Sequence, residues 1–154
     1  GITELPRAVL MAGYKDTSSS DAVYMLDWYA YGIGKVPTKV ATTYQNISDA
    51  WSLLIDQKWH DRITAIKVND GGLSYVEFFE YRKNKMSIPL FNIYCATGSN
   101  REYYAERTDL IQLGQTTQAI YFAKLTNEGE QSELALTGDE IKARFSLVNQ
   151  AWNN

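Results

Sequence analysis

The chain has 154 residues, 45% of them hydrophobic and 21% charged, enough for one globular domain that buries its own core. A net charge of −3, with no basic block denser than "YRKNK" (81–85), argues against nucleic acid as a partner. One cysteine, Cys95, excludes an internal disulfide and a thiolate zinc site, and no stretch is long and apolar enough for a membrane span.

In chain order, residues 7–14 ("RAVLMAGY") and 22–31 ("AVYMLDWYAY") are strand-like runs joined by the polar tip "KDTSSSD". "GIGK" (32–35) reverses the chain into "VPTKVATT" (36–43), whose Pro37 belongs near a strand end or edge, so residues 5–45 are expected to form a three-strand meander. "WSLLIDQ" (51–57) suits either a buried strand or a helical turn. "RITAIKV" (62–68) and "LSYVEFFEY" (73–81) flank "NDGG", where Asn, Asp and Gly tolerate the positive φ of a tight hairpin. "IPLFNIYCA" (88–96) should pair with the preceding strand and turn Phe91, Ile93 and Cys95 to one face, which makes Cys95 a small core residue.

At "SNREYYAER" (99–107) the spacing of Ser99 and Glu102 suggests a capping box and a short helix. "DLIQLG" and "QAIYFAKL" return to strand character. In "LTGDEIKARFSLVNQAW", Thr137 and Glu140 repeat the capping-box spacing, and Ile141, Phe145 and Val148 fall on one face of a C-terminal helix. The expected fold is α+β: an antiparallel sheet of about seven or eight strands packed against the C-terminal helix and a short helix near residue 100.

From residue 51 onward, the order of a Trp-containing corner "QKWHDRITAIKV", the hairpin strand "LSYVEFFEY", the strand "IPLFNIYCA", then "DLIQLG", "QAIYFAKL" and "LTGDEIKARF" resembles the extracytoplasmic, lipoprotein-type domains of clostridia-like Gram-positive bacteria. Their strand-rich core looks PsbP-like. The resemblance covers about two thirds of the chain, as a core over 51–152 behind the meander, and rests on pattern rather than on an invariant motif. It implies a secreted or surface-anchored, non-catalytic domain of mostly unknown function. The lipobox cysteine of such lipoproteins has no counterpart here, since Cys95 lies mid-chain; a start on Gly rather than Met suggests that an upstream targeting or anchoring segment was removed.

Candidate chemistry is sparse. His60, in "QKWHDR" (57–62), is the single imidazole, and no GxSxG elbow accompanies it. Asp61 would point to the other side of an extended segment, which makes it a poor orienter, and the expected role is a solvated corner with Trp59 covering the core edge. Asp16 and Asp21 offer oxygen ligands without the spacing of a calcium loop. Glu77 and Glu80 fall on opposite strand faces, and Glu102 and Glu106 sit one helical turn apart with Glu102 already used by the cap, so no catalytic residue, metal or cofactor is assigned. "NIS" (46–48) is formally a glycosylation acceptor.

The aromatic content, 11 Tyr, 5 Phe and 4 Trp, is the compositional excess with functional meaning. Alternation sends Tyr29 and Tyr31 to one face of their strand and Trp28 to the other, so one set should be partly exposed. Trp28, Tyr29 and Tyr31 are therefore the candidate contact surface, for a cell-wall glycan or a protein partner. The reading at this level is an extracytoplasmic binding or interaction module, with a hydrolase of unrecognised acid/base set and a passive spacer as alternatives.

Overall fold

A computed structural model describes residues 3–12 and 23–148. The strands are β1 (Thr3–Leu10), β2 (Tyr24–Tyr31), β3 (Thr38–Asn46), β4 (Trp51–Leu54), β5 (Ile63–Asp70), β6 (Leu73–Glu80), β7 (Ile88–Thr97), β8 (Ile111–Gln115), β9 (Ala119–Leu125) and β10 (Phe145–Leu147). Three short helices, α1 (Glu102–Ala105), α2 (Asn127–Glu130) and α3 (Gly138–Arg144), and a 3-10 turn (Gln57–Trp59) complete the described elements. Every strand pairing is antiparallel, and the strands form two sheets: β1-β2-β3-β4-β10, the first sheet, and β5-β6-β7-β9-β8, the second.

The expected antiparallel α+β character holds, but the described residues form ten strands in two sheets where seven or eight in one were expected. The meander is present as β1 to β3. Its tip, "KDTSSSD" with Asp16 and Asp21, lies outside the described residues. The β5–β6 hairpin closes at "NDGG", where only Gly71 needs positive φ (61°), the first central position of a two-residue turn. A side chain at Gly72 would meet the Thr97 carbonyl oxygen at 2.9 Å, so that position is fixed by close backbone approach as well. Of the two alternatives for residues 51–57, the strand forms, as β4, and the 3-10 turn begins only at Gln57.

The two sheets share one buried core, where side chains of opposite sheets meet as ring contacts. Tyr44 of the first sheet abuts Phe78 of the second edge-on at 5.5 Å, Phe78 stacks on Phe91 at 4.9 Å, and Tyr121 meets Phe145 at 5.7 Å. Phe91, Ile93 and Cys95 are all buried, as alternation along β7 requires. The far face of the second sheet carries a smaller cluster, in which Tyr75, Tyr94, Phe122 and Tyr104 form a ladder with centroids 5.0, 4.8 and 5.1 Å apart. Because α1 and Leu110 pack there, β9 is buried over Ala119–Ala123 on both faces.

Two helix expectations change. The capping box at Thr137 and Glu140 is present and starts α3, but the helix ends at Arg144 rather than continuing through Val148. Phe145 turns extended, and Phe145–Leu147 pairs with β4, so Phe145 enters the core from a strand and stacks on Trp51 at 5.8 Å. Burial against the free edge of β4 outweighs the weak helix preference of Phe145-Ser146-Leu147-Val148. The helix near residue 100 exists, but Ser99 does not cap it: Arg101 occupies the cap position without a side-chain bond, and the first-turn Glu102 is left exposed.

Candidate functional site

A cleft of about 660 Å3 opens between the inner face of β1–β3 and the corner formed by Ile55–Asp61. Its floor is continuous with the core: Met25, Ile55 and Trp59 are buried there, while Val40 and Leu54 expose apolar surface at its edge. Register builds one wall. Asp27 stands opposite Thr42, and the Thr42 hydroxyl donates to Asp27 Oδ1 at 2.6 Å; Lys39 Nζ lies 3.3 Å from the same oxygen. Asp27 is 9% exposed, so these two partners supply the compensation that a carboxylate needs away from water.

The opposite wall is the corner. Asp56 caps the 3-10 turn by accepting the Lys58 N–H at 3.0 Å, and its second oxygen accepts a bond from Arg144 at 2.6 Å, at the end of α3. The Trp59 ring is fully buried against Phe91, and its indole N–H donates to the Leu134 carbonyl at 2.9 Å. His60 follows as a solvated residue, as the corner reading expected. Asp61 departs from expectation: its φ of 56° is left-handed, so the segment is not extended, and its carboxylate lies 3.2 Å from His60 Nε2. Both side chains are open to solvent at the cleft rim, 68% and 86% exposed.

The cleft therefore sets three pairs of a basic side chain and a carboxylate around an apolar floor: Lys39–Asp27, Arg144–Asp56 and His60–Asp61. Each carboxylate stands beside a basic side chain, which leaves too little net field to select a strongly charged ligand. Among the described residues Thr42 is the one hydroxyl side chain lining it, and its proton is given to Asp27. Cys95 is buried elsewhere in the core, and burial pushes its thiol up to about 11, which keeps it from acting as a thiolate nucleophile. Among the described residues no group of three or more His, Cys, Asp or Glu side chains is placed to hold a metal ion.

The three aromatic candidates are divided by the strand. Trp28 is half-buried, its indole N–H donating to Thr43 Oγ1 at 2.9 Å; Tyr29 is half-buried; Tyr31, at the end of β2, is 39% exposed. A bulge sits between Trp28 and Tyr29, with Val40 the extra residue of β3. Glu77 and Glu80 lie on opposite faces of β6, and Glu80 is buried, its carboxylate flanked by Arg62 at 3.4 Å and Arg82 at 3.3 Å. Arg62 also bonds Glu133, which holds the Glu133 carboxyl below its ordinary range. Asn46 of the "NIS" triplet is 6% exposed and accepts from Ser48 Oγ and the Asp49 N–H, so this triplet is a turn whose amide faces inward.

Sequence reasoning missed Asp27, Asp56 and Arg144 as site residues. Asp27 carried a signal: it shares strand parity with Val23 and Met25, which puts a carboxylate on the face those residues bury. Asp56 and Arg144 carried none, being 88 residues apart. Comparison with family models, with curated proteins and with solved structures finds no match to this chain.

Proposed function

We propose that the chain is a non-catalytic extracytoplasmic binding module that holds a small ligand in the cleft between β1–β3 and the Ile55–Asp61 corner. The observation that carries this reading is the cleft itself: about 660 Å3, within the range of ligand sites, with an apolar floor and convergent polar groups at its walls. Its carboxylates already have basic partners, so the matching ligand is uncharged or zwitterionic, with hydroxyl or amide groups that bridge donor and acceptor of one pair. Cell-wall glycans and muropeptides have that chemistry, and the extracytoplasmic setting rests on the order of sequence features from residue 51 onward.

A thermal-shift panel of oligosaccharides, muropeptides and short peptides tests this, since a ligand at about 100 times its Kd stabilises a fold by roughly 2.7 kcal/mol. The expected result is a shift with a neutral or zwitterionic ligand that Leu54→Arg or His60→Ala removes; both positions are exposed, so the fold is kept. A flat panel would overturn the reading in favour of a passive spacer.

One observation favours a second reading: His60 and Asp61 form an acid–base pair at the rim of the same cleft. A hydrolase would use His60 as base toward a water, with Asp61 orienting the ring. Turnover of glycoside or ester substrates, lost in His60→Ala while ligand binding persists, would favour it over the binding module.

A further inference from the structure

We infer that the cleft takes an extended, uncharged peptide segment of about three residues with an aliphatic side chain at its middle position. This rests on the ligand-site reading above and names the class of ligand. Two features carry it: the material of the floor, and the hydrogen-bonding atoms that the walls leave free.

A pyranose presents a C–H face that packs best on an open aromatic ring. Among the described residues Trp59 is the only Trp, Tyr or Phe lining the cleft, and it is fully buried; Tyr29 and Tyr31 lie outside the lining. The surface that a ligand meets is aliphatic instead, with Val40 (49% exposed) and Leu54 (42%) at the edge, together with Val9, Met25 and Ile55. Branched side chains and an adaptable Met make a seat for another aliphatic side chain rather than a stacking plane for a sugar.

The walls supply the backbone contacts. Among the described residues the contacts of Asp27, from the Thr42 hydroxyl and Lys39 Nζ, both fall on Oδ1, which leaves Oδ2 to accept an N–H. On the other wall both oxygens of Asp56 are taken, Oδ1 by the Lys58 N–H and Oδ2 by Arg144; that bond uses Nη2 alone of the guanidinium and leaves donors for a carbonyl. The sheet sets the free acceptor and the free donor apart: Asp27 stands opposite Thr42, the Ile55 N–H donates to the Thr42 carbonyl at 2.8 Å, and Asp56 follows Ile55. Two strand spacings separate them, about 10 Å. In an extended chain, the N–H of one residue and the C=O two residues on point to the same side, roughly 9 Å apart. A peptide so placed donates its first N–H to Asp27 and offers its third carbonyl to Arg144. Its middle side chain, opposite in direction to the two beside it, enters the floor. The Lys39–Asp27 and Arg144–Asp56 pairs stay intact, so no charge loses its partner.

Calorimetric titration of the full chain with N-acetylated, C-amidated Ala-Leu-Ala, with Ala-Gly-Ala capped the same way, and with an N-acetylglucosamine trisaccharide tests this. The expected result is saturable binding of the Leu peptide, about tenfold or more tighter than the Gly peptide, and none of the trisaccharide. A methyl group on the nitrogen of the first Ala should weaken the Leu peptide about tenfold, and Val40→Ser should cut its advantage over the Gly peptide about threefold. Equal circular dichroism and thermal midpoints for Val40→Ser exclude misfolding as the cause. Absence of peptide binding, or binding indifferent to the middle side chain or to the methylated nitrogen, would overturn the peptide assignment. Trisaccharide binding without peptide binding would overturn it while leaving the cleft as a ligand site, and a flat response to the whole thermal-shift panel would remove both.

Discussion

The strand β9, "AIYFAKL", is buried over Ala119–Ala123, whereas the strand β1, "TELPRAVL", is exposed from Glu4 to Ala8. The difference is position. β9 lies between β7 and β8, covered on one face by the shared core and on the other by the ring ladder; β1 is an edge strand, paired on one side with β2. Sequence marks part of the difference, since β1 carries Glu4, Pro6 and Arg7 where β9 carries a single Lys, and tertiary pairing completes it. The second sheet thus serves as scaffold, while the first sheet holds one wall of the cleft.

The strongest way to break this contrast is at the seam between sheets. Phe78 is fully buried, stacked on Phe91 and edge-on to Tyr44, so Phe78→Ala should cost about 3–5 kcal/mol in denaturant unfolding. A loss under 1 kcal/mol would mean that the sheets do not share a core. Next is the ladder on the far face. Phe122 stacks between Tyr94 and Tyr104, and Phe122→Ala should cost about 3 kcal/mol, because its cover is a set of half-buried tyrosines that can partly collapse. If that variant is as stable as the parent, the second face of β9 is not a packed layer.

How much of this was legible follows the range of each interaction. The β5–β6 hairpin and the Thr137–Glu140 cap are written in four consecutive residues each, and both are present. The end of α3 was not legible: Ile141, Phe145 and Val148 satisfy a helical spacing, while Phe145 and Leu147 satisfy strand alternation, and the free edge of β4 decides between them. The His60–Asp61 pair was missed because one backbone angle, the left-handed φ of Asp61, reverses the expected side-chain directions. The cleft joins β1–β3 to α3 across most of the chain, a contact that periodicity does not encode.

The α3 cap tests the local end of that scale. Thr137→Ala removes the hydroxyl that accepts the Glu140 N–H at 3.1 Å and should cost about 1 kcal/mol at neutral pH. The Thr137 N–H, donating to the Glu140 carboxylate at 3.0 Å, holds that carboxyl below its ordinary range. A depressed folded value means that this carboxylate's contribution is present above the unfolded pKa and is lost as pH falls through the folded one. Glu140→Gln should therefore be less stable than the parent at pH 7 and converge with it in acid; a pH-independent gap would show that the bond, not the charge, matters.

The smallest expected effect sharpens the comparison between the two ends of the molecule. At the cleft end every carboxylate has a basic partner, whereas Asp49, beside Cys95 and Tyr121, has none among the described residues. Its backbone carbonyl accepts the Tyr121 hydroxyl at 2.6 Å and ties the first sheet to the second, but burial pushes the Asp49 carboxyl above its ordinary range. A raised folded value is a contribution present below the unfolded pKa and lost as pH rises through the folded one, so at neutral pH the ionised group opposes folding. Asp49→Asn keeps the carbonyl and removes the charge, and should raise Tm slightly at pH 7, with the advantage shrinking as the pH is lowered through the carboxylate range. A lower Tm at pH 7 would mean that the carboxylate is paired in solution, and the two ends would then follow the same rule.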